Sequence, residues 1–142
     1  MFLANLNWLA IVVATLAAFV AGAIWFGPKT FYPVWWKLMG KEENANPGTG
    51  TSMAILFGAT AVGAFVEAVA VASVIYFVAA DQSGFGALQG GLVGLLLGVA
   101  LAAASSLSHR LFAGSGFRVW LIEVGSDIVN LTIMGLIIGS WR

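Results

Sequence analysis

Three carboxylates and one amide stand where an apolar chain has least use for them. Glu67 sits inside the run Ala64-Phe65-Val66-Glu67-Ala68-Val69, and Glu123, Asp127 and Asn130 follow one another at intervals of four and three residues in a second apolar run. On a helix those intervals align the three side chains along one face, with Ser126 near the same side. Acids surrounded by apolar residues can do three things: keep a proton, share one between two carboxylates, or bind a cation. Proton relays and cation sites are built from such groups. The plainer reading is that neutral acids and Asn130 hydrogen-bond helices together, at about 0.6 kcal/mol per contact. A third is that they dock a basic side chain of a partner protein. No Lys, Arg or His lies in the middle of an apolar run to neutralise them, and Arg110 and Arg118 are close enough in sequence to reach Glu123 only.

Other chemistries find no residues to carry them. Without cysteine there is no disulfide, thiolate ligand or Cys nucleophile, and the single His109 cannot form a multi-His centre. There is no phosphate-binding loop, no HExxH spacing and no Ser/His/Asp set with a usable base. Neither a metal nor a cofactor is expected, and an enzyme is not expected. Six Lys/Arg balance six Asp/Glu, so net charge makes no case for nucleic acid as a partner.

The elements that must position the acids follow from composition. A chain of 142 residues that is 61% hydrophobic and 8% charged, with mean hydropathy +0.98, has too little polar surface for a water-soluble globule of its size. The lipid bilayer is therefore its expected partner. A spanning helix takes about 20 apolar residues, and four runs qualify, at about 7–26, 52–80, 86–108 and 118–140. The fold expected is all-α: one transmembrane domain over 1–142, a four-helix bundle with a short interfacial aromatic segment at about 29–40 between helices 1 and 2. Gly27-Pro28 ends the first span, because proline disfavours helical geometry in the residue before it. Residues 41–51, KEENANPGTGT, read as a solvated loop. Met1 to Asn7 lacks the basic flank of a cleavable signal, so the first run is read as retained. Counted from Arg118 at about 1.5 Å per residue, Asp127 lies about 13 Å deep and Asn130 about 18 Å. Glu67 reaches a similar depth in its own span. A charge there costs about 2.5 to 3.5 kcal/mol on the lenient scale, so the acids must face the bundle interior or a cavity.

Small residues mark where such helices meet. Gly86, Gly90, Gly94 and Gly98 recur every four residues, a glycine zipper continued by Ala102 and Ser106. Ala14, Ala18 and Gly22, Ala54 and Gly58, and Gly135 and Gly139 are smaller counterparts. The row suits packing within the bundle or a seam in a homo-oligomer or larger membrane complex; one sequence does not separate them. Trp8, Trp25, Trp35, Trp36, Trp120 and Trp141 fall near predicted membrane boundaries and read as interface anchors, with an aromatic cage for a quaternary ammonium group as the sharper alternative.

Asn7-Trp8-Leu9-Ala10-Ile11, Ile24-Trp25-Phe26-Gly27-Pro28, Trp36-Lys37-Leu38-Met39-Gly40 and Met134-Gly135-Leu136-Ile137-Ile138-Gly139 together resemble a bacterial family of short four-span membrane proteins. That family is catalogued as a domain of unknown function; it typically opens NWLA and ends its first helix WYGP. Phe26 stands where that pattern has Tyr, and the fourth span is more acidic than the family pattern. The resemblance implies the four-helix fold and a bacterial membrane, and no activity.

Four spans put the 26–52 and 108–118 connections on one side, with Lys29, Lys37, Lys41, Arg110 and Arg118, and the termini on the other with Arg142 alone. The positive-inside rule then places the basic loops in the cytoplasm and both termini outside a plasma (inner) membrane. A reporter active only in the cytoplasm should be silent when fused to either terminus and active when inserted in 41–51. The reverse pattern would overturn the orientation.

Overall fold

The computed structural model describes residues 1–45, 47–48 and 50–141. Asn46 and Thr49 of the 41–51 loop, and Arg142 with its part in the charge asymmetry, lie outside the described residues. After a 3-10 turn at Phe2–Asn5 come α1 (Trp8–Trp25), the short α2 (Tyr32–Leu38), α3 (Met53–Val78), α4 (Ala87–Phe112) and α5 (Phe117–Ser140), with no strand among the described residues. The four long helices have mean hydropathies between 1.7 and 2.2 and are long enough to cross a membrane. The chain is an all-helical, multi-pass membrane protein. Against the expected runs, α3 ends at Val78 and α4 continues past Ser108 to Phe112.

Local chemistry sets the helix ends. The Asn7 side chain caps α1 by accepting from the Ala10 amide at 3.0 Å, while its Nδ2 donates to the Trp141 carbonyl at 2.7 Å and ties the two ends of the chain together. Ser52 accepts from the Ile55 amide to open α3, and the Gly86 amide donates to Gln89 Oε1 to open α4. Pro28 stops α1, and the Thr30 hydroxyl reaches the freed carbonyls of Ile24, Trp25 and Gly27. The chain therefore turns sharply, and Pro33 in the first turn of α2 supplies the φ a new helix needs.

Helix α5 is the hub: it touches α1, α2, α3 and α4. Its contact with α4 is backbone against backbone. A Cβ on Gly90 would run into the Gly135 carbonyl, one on Gly94 into the Leu131 carbonyl, and one on Gly98 would lie 2.8 Å from the Ile128 Cα. From the other side, a Cβ on Gly139 would lie 2.7 Å from the Gly86 carbonyl oxygen. The glycine row thus meets α5 of the same chain.

The row does not continue as a straight helix would carry it. Between Gly98 and Ala103 α4 widens into a π-helical turn, which adds a residue and slips every later face by about one position. Ala103 therefore takes the buried place that the four-residue spacing assigns to Ala102, which is only half-buried.

The two halves of the bundle differ. Near the termini, Ala10, Ile11, Ala14 and Ala18 of α1, Ala68, Val71, Ala72 and Ile75 of α3, and Leu131, Met134 and Ile138 of α5 form one close-packed apolar core. Toward the basic loops α3 stands away, and Met53 to Glu67 are almost all exposed or half-buried. Alanine lines the tight half because helices there approach without side chains to hold them apart.

Gly94→Ala should lower the melting temperature of the purified protein clearly, since overpacking against backbone costs about 1–3 kcal/mol. Gly58→Ala, where nothing lies within 4 Å of the added carbon, should leave it unchanged or slightly raised. Equal behaviour of the two would show that the α4–α5 contact does not hold the bundle.

Candidate functional site

Glu123 is in the second turn of α5, at the basic end. Arg110 reaches across from α4 and places its Nε 2.7 Å from Glu123 Oε2, while the indole N–H of Trp35 on α2 donates to Oε1 at 3.1 Å. The π turn explains why the basic partner is Arg110. Counting helical turns from Gly98, a straight helix would bring His109 to the α5-facing side; the extra residue substitutes Ala103, Ser106 and Arg110. Ser106 then accepts the Trp120 indole N–H at 3.2 Å on the same seam.

The α1–α2 turn positions the aromatic wall. Trp25 donates from its indole nitrogen to the Ile122 carbonyl at 2.9 Å, and its ring lies where a side chain on Gly125 would have to go. Phe26 meets Trp35 edge-on at 5.3 Å, Tyr32 stacks on Trp36 at 5.3 Å, and Trp36 itself is buried, donating to the Glu42 carbonyl at 2.7 Å. Four of the six tryptophans expected as interface anchors, Trp25, Trp35, Trp36 and Trp120, thus direct their N–H groups to protein acceptors. Trp8 and Trp141 are exposed near the terminal end, Trp8 stacking on Phe65.

Between the aromatic wall, α5 and the outstanding half of α3 lie two adjoining cavities. The one nearer the basic end measures about 660 Å³ and is lined by Phe26, Tyr32, Trp35, Met53, Leu56, Arg110 and Glu123, among others. The deeper one, about 510 Å³, is lined by Phe19, Gly22, Glu67, Ser126 and Asn130. Phe26, Phe57, Thr60 and Asp127 border both. Asp127 therefore stands between a compensated carboxylate on one side and Glu67 on the other. Beyond the deep cavity the apolar core begins, and a small third cavity of about 240 Å³ at the terminal end, lined by Asn5, Asn7, Tyr76 and Trp141, lies on its far side.

The four sequence candidates are thus brought together, in unequal states. Glu123 has an arginine and an indole. Glu67, Asp127 and Asn130 have no hydrogen-bond partner among the described residues, and all three line the deep cavity. What the sequence did not identify is the cavity's apolar lining, Phe26, Tyr32, Met53, Leu56 and Phe57, and the engagement of Trp35 with Glu123. Nothing in spacing separates a tryptophan at an interface from one aimed at a carboxylate a bundle's width away.

The sequence profile described as "Protein of unknown function (DUF1761)" matches residues 9–139. No curated protein and no solved structure matches the chain.

A double-mutant cycle tests the pair that closes the basic end. Arg110→Ala should destabilise by on the order of 1 kcal/mol, a modest value because the arginine is half exposed. The same substitution on a Glu123→Gln background should cost markedly less. Additive losses in thermal melts of the four proteins would mean that the ion pair contributes nothing.

Proposed function

We propose that this chain, which belongs to the DUF1761 family of proteins of unknown function, is a membrane carrier that binds a cation at Glu67 and Asp127. One observation carries the reading: two acids in spanning helices border a single cavity, and among the described residues neither makes an ion pair or a hydrogen bond between helices. Holding helices together would require the acids to bond to something. A carboxylate left in a bilayer without a partner needs a proton or a cation. Arg110 already balances Glu123, so exchange falls to the deeper pair, with Asn130 and Ser126 as neutral hydrogen-bonding groups beside it.

The apolar core argues for a carrier over an open pore. A continuous aqueous path would need polar residues through the terminal half, where α1, α3 and α5 instead pack alanine against isoleucine, leucine and methionine. Passage across would require α3 to move toward α5 at the basic end and away from it at the terminal end. With the basic loops in the cytoplasm of a plasma membrane, the present conformation is the one open inward. A rival reading, an accessory subunit of a larger membrane complex, draws on the exposed first half of α3, which a partner helix could cover. A stoichiometric partner copurifying from native membranes would favour it.

In liposomes, the purified protein should collapse an imposed pH gradient when a transported cation is added outside, read by a trapped pH dye. Glu67→Gln or Asp127→Asn should reduce the rate at least about ten-fold, the consequence of losing about 1.4 kcal/mol of binding. Glu43→Gln in the exposed loop should not. Flux unchanged in both cavity variants would remove the acids from the mechanism.

A further inference from the structure

We propose that the cation is organic and amphipathic: an alkylated or protonated amine, or a comparable onium group, on an aromatic or aliphatic body. Its head sits at Glu67, Ser126 and Asp127, and its body lies in the chamber walled by Phe26, Trp35 and Phe57. The inference rests on the cation-site reading above and names the class of occupant.

Size and wall chemistry speak first. Two adjoining cavities of about 660 and 510 Å³ are in the range that holds a small organic molecule, about 300–1,000 Å³. They are out of proportion to a bare ion. A hard metal cation takes six or more oxygen ligands, and among the described residues no group of three or more His, Cys, Asp or Glu side chains is arranged to hold a metal. The outer chamber offers rings instead, and the faces of Trp, Tyr and Phe attract an organic cation while accepting its apolar body.

Ser126 supplies an independent observation. It is the buried polar residue of the core, 4% exposed, and it lines the deep cavity. Thr15, Thr60, Ser73 and Thr132 each return their hydroxyl to the carbonyl four residues earlier, the usual outcome in an apolar helix. Ser126 does not. The corresponding carbonyl belongs to Ile122 and already receives the Trp25 indole N–H, in addition to the helical amide that any residue four positions on supplies. With both lone pairs of that oxygen engaged, the Ser126 hydroxyl has no partner among the described residues and is available to whatever enters beside Asp127.

The charge pattern fixes the orientation. Arg110 repels a cationic head from the mouth while compensating Glu123; Glu67 and Asp127 draw it to the deep end. An apolar tail then trails past Phe57 and Phe26 toward Trp35. The exposed first half of α3 leaves the outer chamber accessible from the lipid side, the phase from which such molecules partition.

The test uses the full chain in lipid nanodiscs with radiolabelled tetraphenylphosphonium, and triphenylphosphine oxide as an uncharged counterpart. Tetraphenylphosphonium should bind saturably and the oxide should not. Asp127→Asn and Glu67→Gln should each weaken binding about ten-fold or more, equivalent to about 1.4 kcal/mol. Ser126→Ala removes one oxygen from a packed helix and Trp35→Phe exchanges the indole and its N–H for a smaller phenyl ring; both should fold, as checked by thermal melting, and both should weaken binding several-fold. Saturable binding of the oxide at equal affinity, or tetraphenylphosphonium binding unchanged in Asp127→Asn, overturns the proposal. If the labelled cation does not bind while Glu67-dependent flux of protons or inorganic cations persists in liposomes, the organic occupant is refuted and the cation carrier stands. Absence of both refutes both.

Discussion

The close contact between α4 and α5 is the constraint on which the rest of the bundle depends. In a bilayer apolar side chains gain nothing by leaving lipid for one another, so two helices are held by how nearly their backbones touch. At Gly90, Gly94, Gly98, Gly135 and Gly139 they touch with no side chain between them. That contact fixes α5 on one side and leaves its remaining faces to α1, α2 and α3. Lipid is left the narrow stripe of Leu121, Val129 and Leu136, and the covered faces of α5 can therefore carry Glu123, Asp127 and Asn130. The acids are tolerated because the glycines brought α5 inward.

The same logic divides the bundle across its height. Where α1, α3 and α5 present Ala10, Ala14, Ala68 and Ala72, the helices close and exclude everything larger than themselves. Where α1 and α3 present Phe19, Phe26, Phe57 and Thr60, the rings and their bulk keep α3 apart, and the edge contact of Phe19 with Phe57 at 6.4 Å bridges the opening. Alanines interleaved with Ile, Leu and Met make the barrier, and phenylalanine rings hold the cavity open. The polar groups fall on the open side of that boundary.

Much of this was legible in the sequence. The four spans follow from hydropathy and the stop at Gly27-Pro28 from proline, because each is a local property of a stretch of chain. The convergence of Glu67 with Asp127 could be expected as well, since a bilayer leaves acids nowhere else to point. The partner of Trp35 could not be read. Its indole reaches Glu123 only because α2 folds back across the end of α5, and that angle is set by the turn at residues 26–31, where several backbone and side-chain bonds act together. Ala102 yields its place in the glycine row to Ala103 for a related reason, while Ser106 keeps the seam. Spacing arguments assume one constant helical period, and the period changes between Gly98 and Ala103.

That change of period is what separates the roles of the three carboxylates. With α4 regular throughout, the α5-facing side at the basic end would carry His109, whose compact ring has no guanidinium fork to offer a carboxylate. The π turn presents Arg110, whose guanidinium meets the carboxylate. Glu123 is thereby paired permanently, with Trp35 holding its other oxygen in place. Held by an ion pair on one oxygen and an indole N–H on the other, Glu123 anchors α2 at the mouth of the cavity. On the carrier reading proposed above, the exchangeable positions are Asp127 at the boundary of the two chambers and Glu67 at the deep end. A single inserted residue in α4 thus makes unlike neighbours of the two acids of α5, pairing Glu123 with Arg110 and leaving Asp127 without an ion pair among the described residues.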